Sequence, residues 1–113
     1  DGIYSGGDPI ITTRDYQWKT FTTLMLDMDG WGDVVKSPYT YGDPYTAINR
    51  FYLKLKSQLM PYLNTTAASA ANIDTGNGDT GMPMIRAMLF EEDSDYAAST
   101  ATQYQYMFGL SPQ

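Results

Sequence analysis

The chain has 113 residues, 42% of them hydrophobic and 14% aromatic, with a formal net charge of −6. That composition suits one packed domain at most and excludes intrinsic disorder. With no Cys and no His, disulfides, thiolate zinc sites, cysteine nucleophiles, histidine triads and imidazole metal sites are excluded, and the acidic balance argues against a nucleic-acid surface.

Residues 1–11, DGIYSGGDPII, are dense in glycine and read as an irregular loop following an upstream element. Thr12 or Thr13 is the expected cap of a first helix, on which Tyr16, Phe21, Leu24, Met25 and Met28 share a face. Asp29-Gly30-Trp31-Gly32 is its expected stop. A Pro- and Tyr-rich connection, 33–47, leads to Asp43-Pro44, where proline opens a second helix in its first turn.

Ile48, Phe51, Tyr52, Leu55, Leu59, Tyr62 and Leu63 then recur with the 3.6-residue period of a packed helix face. Pro61 is expected to kink that helix, because it removes one backbone bond and crowds the preceding turn; residues 64–71 continue it weakly. Arg50, Lys54 and Lys56 read as a solvated positive face.

After a glycine-rich loop, 72–81, comes MPMIRAMLF, 82–90, a nearly unbroken apolar run. It fits a strand buried on both faces in a parallel sheet. Arg86 inside such a strand needs a carboxylate partner, since an unpaired buried charge costs several kcal/mol. That partner is expected from outside the chain. The acids at 91–95 lack the spacing of an EF-hand loop and read as a solvated turn. A last helix is expected through QYQYMFG, 103–109. Asn64-Thr65-Thr66 is a glycosylation sequon, relevant only in a eukaryotic secretory pathway.

A strand buried on both faces needs neighbouring strands that the sequence does not visibly supply. The chain therefore reads as an α/β excerpt, a partial (β/α)8 barrel segment, mostly helical with one buried strand. A whole barrel takes about 250 residues. No apolar run approaches the roughly 20 residues of a membrane span. No signal peptide is visible, and the opening Asp1-Gly2 reads as a cut from something longer.

The strings RDYQWKTFTTLM, GWG, PYTAINRFYLKLKSQLMPYL, GMPMIRAM and ATQYQYMFG follow one another in an order that resembles glycoside hydrolase family 31. The resembling part is the C-terminal portion of that family's catalytic barrel, and it takes in nearly all of residues 1–113, as an incomplete domain. Asp1-Gly2-Ile3 looks like the tail of a sugar-contacting turn. Arg14 and Gln17 match an Arg–Gln pair, Met60-Pro61-Tyr62-Leu63 a helix core, and Gly81 to Arg86 a Gly-x-Pro-x-x-Arg strand. The Trp after Gln17 and the Asp29-Gly30-Trp31-Gly32 string are similar to a bacterial subgroup of α-glucosyltransferases and α-N-acetylgalactosaminidases.

The resemblance implies a retaining enzyme acting on α-linked oligosaccharides or glycans, without metal or cofactor, either cytoplasmic or on or outside a bacterial cell. Retention uses two carboxyl groups about 5–5.5 Å apart, and in this family both lie upstream of the matching segment. No catalytic residue is therefore expected in this chain, which should be inactive alone and should need the remainder of the barrel.

The substrate-binding candidates are Asp1 and Ile3, together with Asp29 and Trp31. The latter two stand where the family's substrate-contacting His would fall, near Met28, and this sequence has no counterpart to it. Arg14, Gln17 and Arg86 are structural candidates, bracing groups that touch the sugar. Neither a nucleic acid nor a membrane is an expected partner. The rival reading, motivated by ten Tyr and the missing carboxylates, is a truncated, non-catalytic domain that binds carbohydrate or a partner.

An orphaned apolar strand predicts that the isolated chain self-associates or binds a hydrophobic dye. A monomeric chain with a sharp two-state unfolding transition and no dye uptake would contradict this.

Overall fold

The computed structural model describes residues 2–3, 7–27, 36–71, 73, 81–91, 96 and 102–109. The chain forms two compact units, residues 1–60 and 61–113. Strand β1 (Gly2–Ile3), helix α1 (Pro9–Lys19), strand β2 (Leu26–Asp27) and helix α2 (Tyr45–Ala70) are followed by strand β3 (Ile85–Ala87), a 3₁₀ turn (Met88–Phe90) and strand β4 (Tyr106–Phe108).

In the first unit, α1 starts earlier than the threonines suggest. Asp8 has extended backbone, and its carboxylate accepts from the amides of Ile10 (2.8 Å) and Ile11 (3.0 Å), with Pro9 at the first turn. This is an Asp cap followed by the one residue that needs no amide partner there. Thr12 and Thr13 are buried inside the helix instead of capping it.

The helix also ends earlier, at Lys19 rather than near Met28. Its last turn tightens, with the amides of Phe21 and Thr22 reaching the carbonyls of Trp18 (3.1 Å) and Lys19 (3.2 Å). The Thr22 hydroxyl lies within donating reach of both Lys19 O (2.9 Å) and Leu24 O (3.0 Å). Such local bonds offer the backbone an alternative to helix, and the β-branched residues at 20, 22 and 23 disfavour continuation. The chain then extends into β2, which pairs parallel with β1 in the register Gly2↔Leu26 and Ile3↔Asp27.

Among the described residues of this unit, most buried side chains are polar. Thr12, Thr13, Tyr16, Lys19, Thr20, Thr22, Lys36 and Asn49 are buried, while Ile10, Ile11, Trp18, Leu24 and Leu26 are exposed. Tyr16 donates its hydroxyl to Lys36 O (2.8 Å), and Asn49 Nδ2 donates to Pro38 O (3.0 Å). The connecting segment around 36–38 is thus stitched to both helices. On α2 the apolar period is present, yet Phe51 is 61% exposed, and Ile48, Tyr52, Leu55 and Leu59 are half-buried.

Helix α2 runs on through Pro61 to Ala70. Among the described residues of the second unit, Leu63 and Met84 are the buried apolar ones. Residues 85–87 pair antiparallel with 106–108, in the register Ile85↔Phe108, Arg86↔Met107 and Ala87↔Tyr106. The apolar run is therefore a three-residue strand followed by a turn whose Leu89 and Phe90 are exposed. Its neighbour lies within the chain, in the segment expected to be helical. Tyr106 and Phe108 suit a strand, and the alternation of Gln and Tyr ahead of them has period two.

Arg86 has its carboxylate within the chain as well. Its Nε donates to Glu91 Oε1, and its Nη1 to the carbonyls of Pro83 (3.0 Å) and Gly109 (2.6 Å). The two side chains are 1% and 7% exposed, so Glu91 does not belong to a solvated turn.

Gly109 has φ +90°, and a Cβ there would lie 2.0 Å from Tyr62 Oη. The Tyr62 ring also meets Phe108 edge-on at 5.8 Å. Gly109→Ala is expected to destabilise the second unit by about 2–4 kcal/mol, combining left-handed strain with overpacking. Asp8→Ala should cost the first unit about 1 kcal/mol through its lost cap. Urea unfolding of the two variants measures both; a Gly109→Ala transition at the wild-type midpoint would contradict the close approach.

Candidate functional site

Two parallel strands joined by a helix end on the same side. In α/β folds that carboxyl end is where ligands are bound, because the loops leaving it converge there. In this chain the end is defined by Ile3 and Asp27, which are register partners at the last positions of β1 and β2. Of the sequence candidates, Ile3 lies in this strand end. Asp1, Asp29 and Trp31 lie outside the described residues; Asp29 and Trp31 follow Asp27 by two and four positions.

Asp27 was missed by the sequence reading because it was assigned to the first helix. The available signal was the threonine cluster at 20–23, which marks the helix end and leaves LMLD free to extend.

Arg14 and Gln17 are brought together. Arg14 Nη1 donates to Gln17 Oε1 (2.8 Å), one helical turn apart on α1, with Arg14 exposed. Arg86 belongs to the second unit, where it ties β3 to the residues flanking it and to the end of β4.

The positive face of α2 divides. Lys56 is half-buried, and its ammonium donates to Lys19 O (3.1 Å) and to Thr22 O, at the carboxyl end of α1. It is not a solvated lysine. A cation there also meets the negative end of the helix dipole. Arg50 and Lys54 are exposed and line an open groove of about 370 Å³ with Pro38, Tyr39, Leu53 and Ser57. Tyr39, at 72% exposure, forms one wall.

Among the described residues there is no group of three or more Asp or Glu placed to hold a metal ion. No described helix is long and apolar enough to cross a membrane.

The chain is similar to a glycosidase. Alpha-glucosidase 2 of Bacillus thermoamyloliquefaciens is 29% identical over 85 residues, which make up 75% of this chain and 10% of that protein. The match thus spans about a tenth of the length of this curated relative. No family model matches the chain, and no solved structure matches it significantly.

Burial lowers the Lys56 ammonium from its ordinary value of 10.5. The folded chain then releases this proton at lower pH than the unfolded chain, so between the lowered value and 10.5 the unfolded state binds more protons. Stability contributed by this group must rise with pH across that window. Urea midpoints of the wild type and Lys56→Met, compared from neutral pH to about 10, should move in favour of the wild type. A relative loss for the wild type would contradict the direction.

Proposed function

We propose that this chain is a segment of the catalytic barrel of a retaining α-glycosidase or α-glucosyltransferase of glycoside hydrolase family 31, acting on α-linked glycans. The observation that carries the proposal is the likeness to an α-glucosidase across three quarters of the chain. Two structural features support it. The β1–α1–β2 unit, with parallel strands, is the repeating unit of a (β/α)8 barrel. Helix α1 buries threonines and exposes Ile10, Ile11 and Trp18, as expected of a helix whose apolar face is completed by further structure.

In this reading one Asp carboxylate, encoded upstream, attacks the anomeric carbon, while a second carboxylic acid protonates the departing glycosidic oxygen. The covalent glycosyl-enzyme is then opened by water or by a sugar hydroxyl, whose proton passes to the second carboxylate. The contribution of this chain is the rim at the ends of β1 and β2, where Ile3 and Asp27 are register partners, with Asp1, Asp29 and Trp31 as the further sugar-contact candidates of the sequence. Arg14 and Gln17 brace that rim, and Arg86 ties together the β3–β4 pair of the second unit.

A rival reading draws on the groove beside Tyr39. An exposed ring flanked by Arg50 and Lys54 suits a sugar face and its hydroxyls, which would make the chain a binding module without chemistry.

Assays on aryl α-glycosides separate the two. The 113 residues alone should give no turnover. The same residues expressed with their upstream coding sequence should hydrolyse the substrate, with the α-anomer as first product by NMR. Turnover by the 113 residues alone, or a β-anomer from the longer protein, would overturn the assignment. Glycan binding by the chain with no turnover by the longer protein would favour the binding module.

A further inference from the structure

We infer that Lys56 is a positioning residue for the strand end that carries Asp27, acting through the turn between α1 and β2. The role assigned to that strand end rests on the glycosidase reading above; the clasp itself rests on geometry alone.

The turn is held by bonds within it and by ties from α2. Lys19 O receives the Thr22 amide at 3.2 Å and lies 2.9 Å from the Thr22 hydroxyl, which makes the bend local to residues 19–22. Lys56 adds a charged tie from α2, beside the Thr20 hydroxyl, which lies 3.4 Å from Tyr52 O. The lysine reaches across from α2, 34 residues away, and its one ammonium bridges the last carbonyl of α1 and the carbonyl of Thr22. An ammonium has three donors and no acceptor, so it can hold two carbonyls at once.

Five residues after Thr22, β2 ends at Asp27, opposite Ile3. A two-residue strand pair has little register information of its own. A slip of one position replaces Asp27 opposite Ile3 by a neighbour and turns every side chain to the other face. The distance of the turn from the helix therefore sets which residue arrives at the rim. Fixing that distance is what a cation on both carbonyls accomplishes. Lys56 is half-buried where it reaches these two carbonyls. Arg50 and Lys54, on the same helix, remain exposed at the groove.

The test is amide hydrogen exchange by NMR on the full chain, comparing wild type, Lys56→Met, Lys56→Gln and Lys56→Arg. In Lys56→Met the amides of Leu26 and Asp27 should exchange roughly tenfold faster or more, while those of Leu53 to Ser57 on α2 change little. Lys56→Arg should restore protection, and Lys56→Gln, with a neutral donor, should fall between. If the Met variant does not fold, the Gln and Arg variants carry the comparison.

Uniform acceleration through α1, α2 and β2 would make Lys56 a contributor to global stability only, and unchanged β2 amides would remove the clasp; either result overturns the inference. In the longer protein, Lys56→Met should lower kcat by about tenfold or more with KM within about threefold, since a displaced rim misplaces reacting groups more than it weakens binding. An unchanged kcat would also overturn it. Should the longer protein turn over no glycoside while the exchange pattern holds, the glycosidase reading falls and the clasp stands.

Discussion

Carbonyl oxygens at the ends of short helices and strands must find donors, and in both units a cationic side chain supplies them. Lys56 holds the carbonyls of Lys19 and Thr22, where α1 gives way to β2. Arg86 holds those of Pro83 and Gly109, on either side of the β3–β4 pair. The choice of cation follows the task. A guanidinium offers a rigid fork, and Arg86 uses it to meet two carbonyls and the Glu91 carboxylate together. A lysine stem is flexible and ends in a point charge, which suits two carbonyls on one bend approached from another helix. Elements of two or three residues make few bonds of their own, so these two side chains determine how the elements meet.

Much of this framework was legible in the sequence where local chemistry dominates. The period of α2 from Ile48 to Leu63 describes the helix that forms, which begins at Tyr45, one residue after Pro44. Arg86 announced a carboxylate, and one is present. What escaped was decided by competition or by long-range pairing. Asp8-Pro9 is as good a helix start as Thr12-Thr13, and the earlier cap prevailed because its carboxylate reaches two amides. The threonines that end α1 are helix-compatible one at a time; the end is set where the Thr22 hydroxyl reaches Lys19 O. The strand at Tyr106–Phe108 acquires its identity from pairing with residues 85–87, about twenty positions away, which no local window contains.

The candidate site shows the same division. Ile3 was nominated from a motif and lies at a strand end; Asp27 was hidden by the misassigned helix and emerges from register alone. Lys56 was read as solvated because its sequence neighbours are cationic and polar, and nothing within α2 says that one of its lysines crosses to α1. A charge pattern along a single helix reports on that helix's surface only until another element is packed on it.

The threonine-lined interior of the first unit also has a calorimetric consequence. The heat capacity increment of unfolding grows with apolar surface newly exposed to water and is reduced by polar surface. Among the described residues, Thr12, Thr13, Thr20, Thr22 and Asn49 are buried beside Tyr16, and their exposure on unfolding adds polar surface. That polar share lowers the increment and flattens the stability curve. Any structure that covers Ile10, Ile11 and Trp18 adds the missing apolar term and sharpens the curve. Curvature with temperature then reports whether that face is covered, independently of any assay for sugar chemistry.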